Sequence, residues 1–352
     1  MQDGKDNCLS LPTLQALRPP RFALPEHFCQ NKVLIEPETD NIMWKENPPR
    51  KSVGCIVNPY AANRKWKRRL LIRRYLQRHL PGDIYECGAE MGSAVELARH
   101  LSQSKDVIIA AGGDGTISDV IQGIVAGGRH HQITLGIIPL GSGNAFITSL
   151  GIPKNIVRAV KIIQEHHTQT IDLLDIDGRI GTFASVGATA QITCEKLQGR
   201  IPGLFGHLLA ARIMLKLSKK DQQIELSDGL DDSQCSFAYK VLNLKVFDCV
   251  IGKTRHFGYK WKVAPMAKIN DGYIDITFFE ISGLKYLIFF PSIYFGLFQK
   301  TQRHFKAKKI IIRGQNLPVQ CNGEVLGIKD ELSIEILPRA LRIIRAPEKN
   351  SS

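Results

Sequence analysis

The chain of 352 residues lacks most of the devices that would take it out of a reducing, aqueous setting. Its eight cysteines, at positions 8, 29, 55, 87, 194, 235, 249 and 321, include no Cys-x-x-Cys and no tight pairing with histidine, so neither a zinc site nor a disulfide framework is expected. No apolar run is long enough for a membrane span. The longest, 284–298, is interrupted by Lys285 and Pro291. The first thirty residues contain no apolar h-region, so no signal peptide is expected and the expected location is cytoplasmic. There is no Gly-x-x-x-x-Gly-Lys-Ser/Thr phosphate loop, no internal repeat and no low-complexity tract. Acidic side chains are scarce beside basic ones, 33 against 47, which leaves a formal charge of +14 and implies an anionic partner. Without a helix-turn-helix or a stacking-platform motif, nucleic acid is not expected. An anionic membrane surface, on which the protein would sit peripherally, fits the charge better. The charge gathers at Arg64, Lys65, Lys67, Arg68, Arg69, Arg73, Arg74 and Arg78, and again at Lys300, Arg303, Lys306, Lys308, Lys309 and Arg313.

Glycine, by contrast, is concentrated where it carries information. The apolar run Val107 to Ala111 leads into Gly112, Gly113, Asp114, Gly115 and Thr116, and then into Ile117, Val120, Ile121 and Ile124, one buried face of a helix. A strand that turns into a helix through glycines presents free backbone N–H groups and the positive helix pole to an anion, with no Cβ in the way. A nucleotide phosphate is the expected guest. Asp114 at such a turn serves either the ligand or the helix as an N-cap. A second apolar strand, Ile133 to Ile138, runs into Gly141, Ser142, Gly143, Asn144, Ala145 and Phe146, where Phe146 breaks the dinucleotide fingerprint. Two glycine loops at strand ends of one parallel sheet would wall a single nucleotide site.

Strand and helix alternate from Val53 to about His167, the pattern of a doubly wound parallel α/β sheet. Beyond Ile171 the alternation changes to strands with one wet face, such as Ile274, Ile276 and Phe278 against Asp275 and Thr277, which gives an antiparallel, β-sandwich-like second domain. The expected organisation is an extension over 1–50, a nucleotide-binding α/β domain over 51–170, a β-rich acceptor domain over 171–337 and a return segment over 338–352. A helix over 206–217 is inserted among the strands, and the site lies in the cleft between the domains. The aromatic stretch 284–298 suits core packing or an apolar acceptor channel or interfacial patch.

The motifs, taken in order, resemble those of the diacylglycerol kinase catalytic-domain family, which groups bacterial lipid kinases with sphingosine and ceramide kinases. They are Asn58-Pro59 after the first strand, Gly112 to Thr116, Pro139 to Phe146, Leu150 to Pro153, Asp271 to Asp275, Asn322-Gly323-Glu324 and Ile336 to Leu341. The resemblance covers nearly everything after residue 50. It implies ATP-dependent phosphorylation of a lipid hydroxyl, diacylglycerol-like or sphingoid-like, with Mg²⁺ accompanying the nucleotide. By matching positions, Asn58, Gly112, Gly113, Asp114, Gly115, Thr116, Ile117, Ser118, Asp119, Gly141, Ser142 and Asn144 would line the nucleotide. Glu324 would take the proton of the lipid hydroxyl, with Asp114 as the second catalytic carboxylate. Asp271 with the carbonyls of Lys268 and Tyr273 would form a second, structural Mg²⁺ site, although a plain turn explains the same residues.

The chain departs from that pattern at Ala145 and Asn322, where acidic residues are usual, at Thr189, where an Asp is frequent, and at Asp119, where Glu is usual. The first two thin the carboxylates around phosphate and metal, Thr189 removes a partner for an amine-bearing lipid, and Asp119 keeps the charge. They keep two other readings open: an NAD-kinase-like enzyme for a soluble acceptor, and a degenerate protein that binds nucleotide or lipid without transfer.

Overall fold

The run Val107-Ile108-Ile109-Ala110-Ala111 is buried at every position, as a strand covered on both faces must be. It belongs to a computed structural model that describes residues 52–61, 69–141, 143, 145–199, 211–257 and 261–347. Four strands, β1 (Val53–Val57), β2 (Asp83–Glu86), β3 (Val107–Gly112) and β4 (Thr134–Pro139), pair in parallel in the order β2-β1-β3-β4. Helices α1 (Arg69–His79), α2 (Ser93–Leu101) and α3 (Asp114–Ala126) connect them, and α3 inserts Ile117, Val120, Ile121 and Ile124 into the core. Each fully buried isoleucine contributes about 1.5–3 kcal/mol relative to exposure. Because β1 sits between β2 and β3, the winding direction reverses at the β1/β3 boundary. In open α/β sheets the crevice at such a reversal holds the ligand.

Two short helices follow, α4 (Ala145–Ser149) and α5 (Ile156–Glu165), the second capped by the Asn155 side chain. The remaining strands are β5 (Thr168–Ile176), β6 (Arg179–Gly181), β7 (Phe183–Gly187), β8 (Lys220–Leu230), β9 (Ser236–Val246), β10 (Asp248–Gly252), β11 (Ile274–Phe279), β12 (Arg303–Ala307), β13 (Lys309–Cys321) and β14 (Glu324–Ile344), with α6 (Ala188–Gly199) after β7. They pair antiparallel among themselves, as expected for the sandwich-like part. Strand β13 closes the pairing by bonding β8 through Lys309–Arg313 and β7 through Val319–Cys321. Ile224, Ile251, Ile276, Phe278, Ile312 and Val319 fill the interior.

The α/β and β-rich parts share one hydrogen-bonded sheet, because β14 runs on past residue 338 and pairs in parallel with β4 through Arg342 and Ile343. A register shift against β5 between Leu337 and Leu341 takes up Pro338, whose missing N–H suits a bulge, and Arg339, at φ 49°. The helix expected over 206–217 is described at 211–216. The helix expected from Arg64 is described from Arg69, so Arg64, Lys65, Lys67 and Arg68, like the extension 1–50, lie outside the described residues.

Candidate active site

The ends of β1, β3 and β4 meet through backbone and side-chain hydrogen bonds. Asn58 donates from its backbone to Ala111 O at 2.9 Å and from Nδ2 to Thr116 Oγ1 at 2.8 Å. Leu140 N and Gly141 N both donate to Gly112 O, at 2.8 and 3.2 Å, so the two glycine loops lie against each other. At Gly112 a side chain is impossible without rearrangement, since a Cβ would fall 2.4 Å from Thr116 Cβ. At Gly115 a Cβ would meet nothing within 4 Å. Gly115 lies exposed in the first turn of α3, where helix N–H groups lack intrahelical partners. Thr116 and Ser118 are buried and tie the loop down, Ser118 also lining the cleft described below: Thr116 accepts from Asn58, and Ser118 Oγ accepts from Asn322 Nδ2 at 3.1 Å. Ile117 is core, its side chain flooring the cleft. Ser142 and Asn144 lie outside the described residues.

Asp114 does not cap its own helix. The N-cap is Gly113, and the Asp114 carboxylate accepts from Ala145 N at 3.1 Å and Phe146 N at 3.2 Å, at the start of α4. It therefore joins the first loop to the second.

Glu324, at the head of β14, meets an unforeseen partner. Arg179 Nη2 lies 2.5 Å from Glu324 Oε2 and 3.3 Å from Asp119 Oδ1, so one guanidinium spans the two carboxylates. Burial and the charge of Asp119 push the Glu324 carboxyl above its ordinary range, against the pull of Arg179. Burial likewise raises Asp119, with Arg179 again opposing. Arg179 stands just after the Asp177-Gly178 turn, and no motif distinguishes it.

Beside these groups lies a cleft of about 270 Å³ with an apolar wall of Ile117, Ile121, Phe146, Phe183 and Phe257. Its polar rim includes Asp114, Thr182, His256 and Asn322. Asn322 accepts through Oδ1 from Thr182 N and Phe183 N, both at 3.1 Å, while its amide donates to Ser118. A carboxylate could not make that last bond, which is a physical reason for Asn at this position. Thr189 is buried and faces away from the cleft, donating from N (3.1 Å) and Oγ1 (2.5 Å) to Asp248, whose carboxyl burial pushes up to about 7. An aspartate at 189 would face that buried carboxyl.

The expected second metal site holds a side chain instead. Lys253 Nζ lies 2.7 Å from Asp271 Oδ1, 2.6 Å from Tyr273 O and 3.1 Å from Asp172 Oδ2. Lys306 Nζ lies 2.5 Å from Asp271 Oδ2. Burial alone would raise the Asp271 carboxyl, but its bonds to Lys253 and Lys306 and their charges hold it below the usual range. Lys268, the remaining member of the expected set, is exposed. These residues do not fit a metal ion, and among the described residues no cluster of three or more His, Cys, Asp or Glu does. The second basic cluster is also largely paired, Arg303 with Glu280, Lys309 with Glu335, and Arg313 with Glu225 and Glu331.

Residues 52–176 match the diacylglycerol kinase catalytic domain, and residues 231–345 match the YegS C-terminal NAD kinase beta sandwich-like domain. A curated diacylglycerol kinase of Staphylococcus saprophyticus is 30% identical over 242 residues, 67% of this chain and 75% of the relative. One from Staphylococcus aureus is 30% identical over 248 residues, 67% of this chain and 72% of the relative. Two solved structures from Bacillus anthracis strain Sterne, both described as diacylglycerol kinases, share the fold. The first superposes at TM-score 0.67 with 25% identity, over 84% of this chain and 98% of that one. The second does so at TM-score 0.63 with 24% identity, over 84% and 97%.

Proposed function

The chain belongs to the diacylglycerol kinase family of bacterial lipid kinases, and from that premise we propose that it transfers the γ-phosphate of ATP to a lipid hydroxyl at an anionic membrane surface. The observation that carries this reading is an apolar cleft walled by Phe146, Phe183 and Phe257 that is also lined by Asp114, in the first turn of α3, and by Gly323, the neighbour of Glu324, which Arg179 links to Asp119 of the same helix. In this reading the α3 N–H groups and the Gly112 to Gly115 loop hold the phosphates, and Mg²⁺ bound with the nucleotide would supply charge neutralisation at the transferring group. Glu324 accepts the proton of the acceptor hydroxyl, whose oxygen forms the new bond to the γ-phosphorus as the bond to the β–γ bridging oxygen breaks and ADP leaves. Arg179 and Asp119 orient Glu324 and set its proton affinity.

A second feature favours a lipid over a soluble acceptor. Leu284, Ile288, Phe289, Phe295 and Leu297 are exposed together with Lys285 and Lys300, a combination suited to an interface rich in anionic lipid. From the cleft, stacked Phe183 and Phe257 continue through Trp261, Phe290 and Tyr294 to Phe295, with successive ring centroids 4.3–6.3 Å apart. In this reading an acyl chain lies along this file of rings, between the exposed patch and the cleft. Among the described residues no helix is long and apolar enough to cross a membrane, so the proposed attachment is peripheral.

The test is transfer of labelled γ-phosphate to diacylglycerol, monoacylglycerol, ceramide, a sphingoid base or phosphatidylglycerol in mixed micelles with Mg²⁺, beside NAD without micelles. A labelled lipid supports the proposal. Labelled NAD alone, or no product from protein that binds ATP, rejects it.

A further inference from the structure

We propose that the ammonium of Lys253 takes the place of a structural divalent cation, so that the acceptor side of the cleft is held by an internal charge and needs no bound metal. Asp271 Oδ1, Tyr273 O and Asp172 Oδ2 converge on one point, and that point is Lys253 Nζ. The ammonium donates hydrogen bonds to Asp271 Oδ1 and Tyr273 O and forms an ion pair with Asp172. The separations of 2.6 and 2.7 Å are those of charge-assisted hydrogen bonds, and the 3.1 Å to Asp172 is that of a close ion pair. They exceed the roughly 2.0–2.1 Å of Mg²⁺–oxygen and the roughly 2.3–2.6 Å of Ca²⁺–oxygen bonds.

Burial makes this arrangement an alternative to a metal. The side chains of Lys253 and Asp172 are 1% and 0% exposed. Asp172 is fixed by accepting from Gly272 N at 2.7 Å and Arg339 N at 2.8 Å, which ties β5 to the Asp271 turn and to the β14 bulge. Lys306 puts a second positive charge on the other oxygen of Asp271 and lies 3.6 Å from Asp275. A divalent ion would have to displace one ammonium and sit beside another. The bond also reaches the cleft, because Lys253 immediately precedes Thr254, His256 and Phe257 on its wall. The ammonium thus pins that wall to β5 and to the turn before β11, whichever acceptor the cleft receives.

The test uses the full chain without nucleotide or acceptor, so its outcome is independent of whether the protein phosphorylates a lipid. Thermal unfolding is followed in chelator and in millimolar Mg²⁺, Mn²⁺ or Ca²⁺, and bound metal is counted after gel filtration. The wild type is expected to hold no stoichiometric divalent ion and to keep one Tm throughout. Lys253→Ala leaves three oxygens around a vacated space. It is expected to lose about 10 °C in chelator and to recover much of that with divalent ions. Should the alanine variant fail to fold, Lys253→Met keeps the bulk without the charge, is expected to show the loss alone, and the wild-type titration still decides. The proposal is overturned by a wild-type Tm that rises with cation and ceases to do so in Asp271→Asn. It is overturned equally by Lys253 variants as stable as the wild type, or by a folded, destabilised alanine variant indifferent to cations.

Discussion

Arg179 and Glu324 are paired directly, Nη2 2.5 Å from Oε2, and the same guanidinium lies 3.3 Å from Asp119. Burial favours the protonated form of Glu324 and Arg179 favours the ionised form, so the arginine keeps a half-buried carboxylate available as a base. Removing it with Arg179→Met leaves Glu324 and Asp119 to repel each other, and the proton affinity of Glu324 rises. The acid limb of the kcat/KM–pH profile is expected to move up by about one pH unit, with kcat reduced roughly tenfold. Arg179→Lys is expected to restore part of the shift. An unmoved acid limb would assign Arg179 a structural role only.

Gly112 and Gly115 differ in what a methyl group would meet, and alanine at each separates folding from binding. Gly112→Ala drives a Cβ to 2.4 Å from Thr116 Cβ and is expected to cost about 3 kcal/mol in urea unfolding. Gly115→Ala enters open space and is expected to leave stability unchanged or to raise it by about 0.5 kcal/mol. Its affinity for ATP, measured by calorimetry, is nevertheless expected to fall at least tenfold, because the methyl takes the room of the phosphates. Unchanged ATP affinity in Gly115→Ala would remove the phosphate from the first turn of α3.

Asp248 makes stability depend on pH. Its carboxyl ionises at about 7 in the folded protein, against 3.8 as its ordinary value. Between those values the folded state holds a proton that the unfolded chain has released. Stability contributed by Asp248 is therefore full below about pH 4 and is lost as pH rises toward 7, on the order of 1 kcal/mol per pH unit. Asp248→Asn, which can still accept from Thr189 N, is expected to flatten that slope in denaturant titrations run from pH 4 to 7. An equal slope in the variant would refute the buried proton.

The exposed apolar group at Phe289, Phe295 and Leu297 is expected to govern membrane attachment. Changing all three to serine should lower partition onto anionic vesicles at least tenfold while leaving ATP affinity unaltered. Undiminished vesicle binding would move the docking surface elsewhere.

The α/β half and its loops were legible because their chemistry is local. Buried β-branched runs, strict alternation and glycines at strand ends located β1 to β4, Asn58 and the Gly112 turn within a residue or two. Asp114 was legible as a loop carboxylate but not in its geometry, since its partners Ala145 and Phe146 lie at the start of α4. Arg179 and Lys253 were hidden because a charge acquires meaning from what folding brings to it. Arg179 is 145 residues from Glu324, and Lys253 meets Asp172 only when β5 and β10 enter one sheet. The aromatic stretch read correctly as apolar, yet only the short helices Gly283–Ile288 and Phe290–Tyr294 decide that Tyr286 and Ile293 turn inward while Phe289 and Phe295 stay outside. The expected metal turn at Asp271 carried the right residue types, and the tertiary structure supplied a different cation.

The most direct test of Glu324 as the base is single-turnover transfer of labelled γ-phosphate to the accepted lipid by wild type and Glu324→Gln, with ATP affinity measured on the same samples. Glutamine keeps the size and removes the proton acceptor. Transfer is expected to fall at least about a thousandfold with ATP affinity within about threefold of wild type. Transfer at a wild-type rate by a folded Glu324→Gln protein would contradict the account.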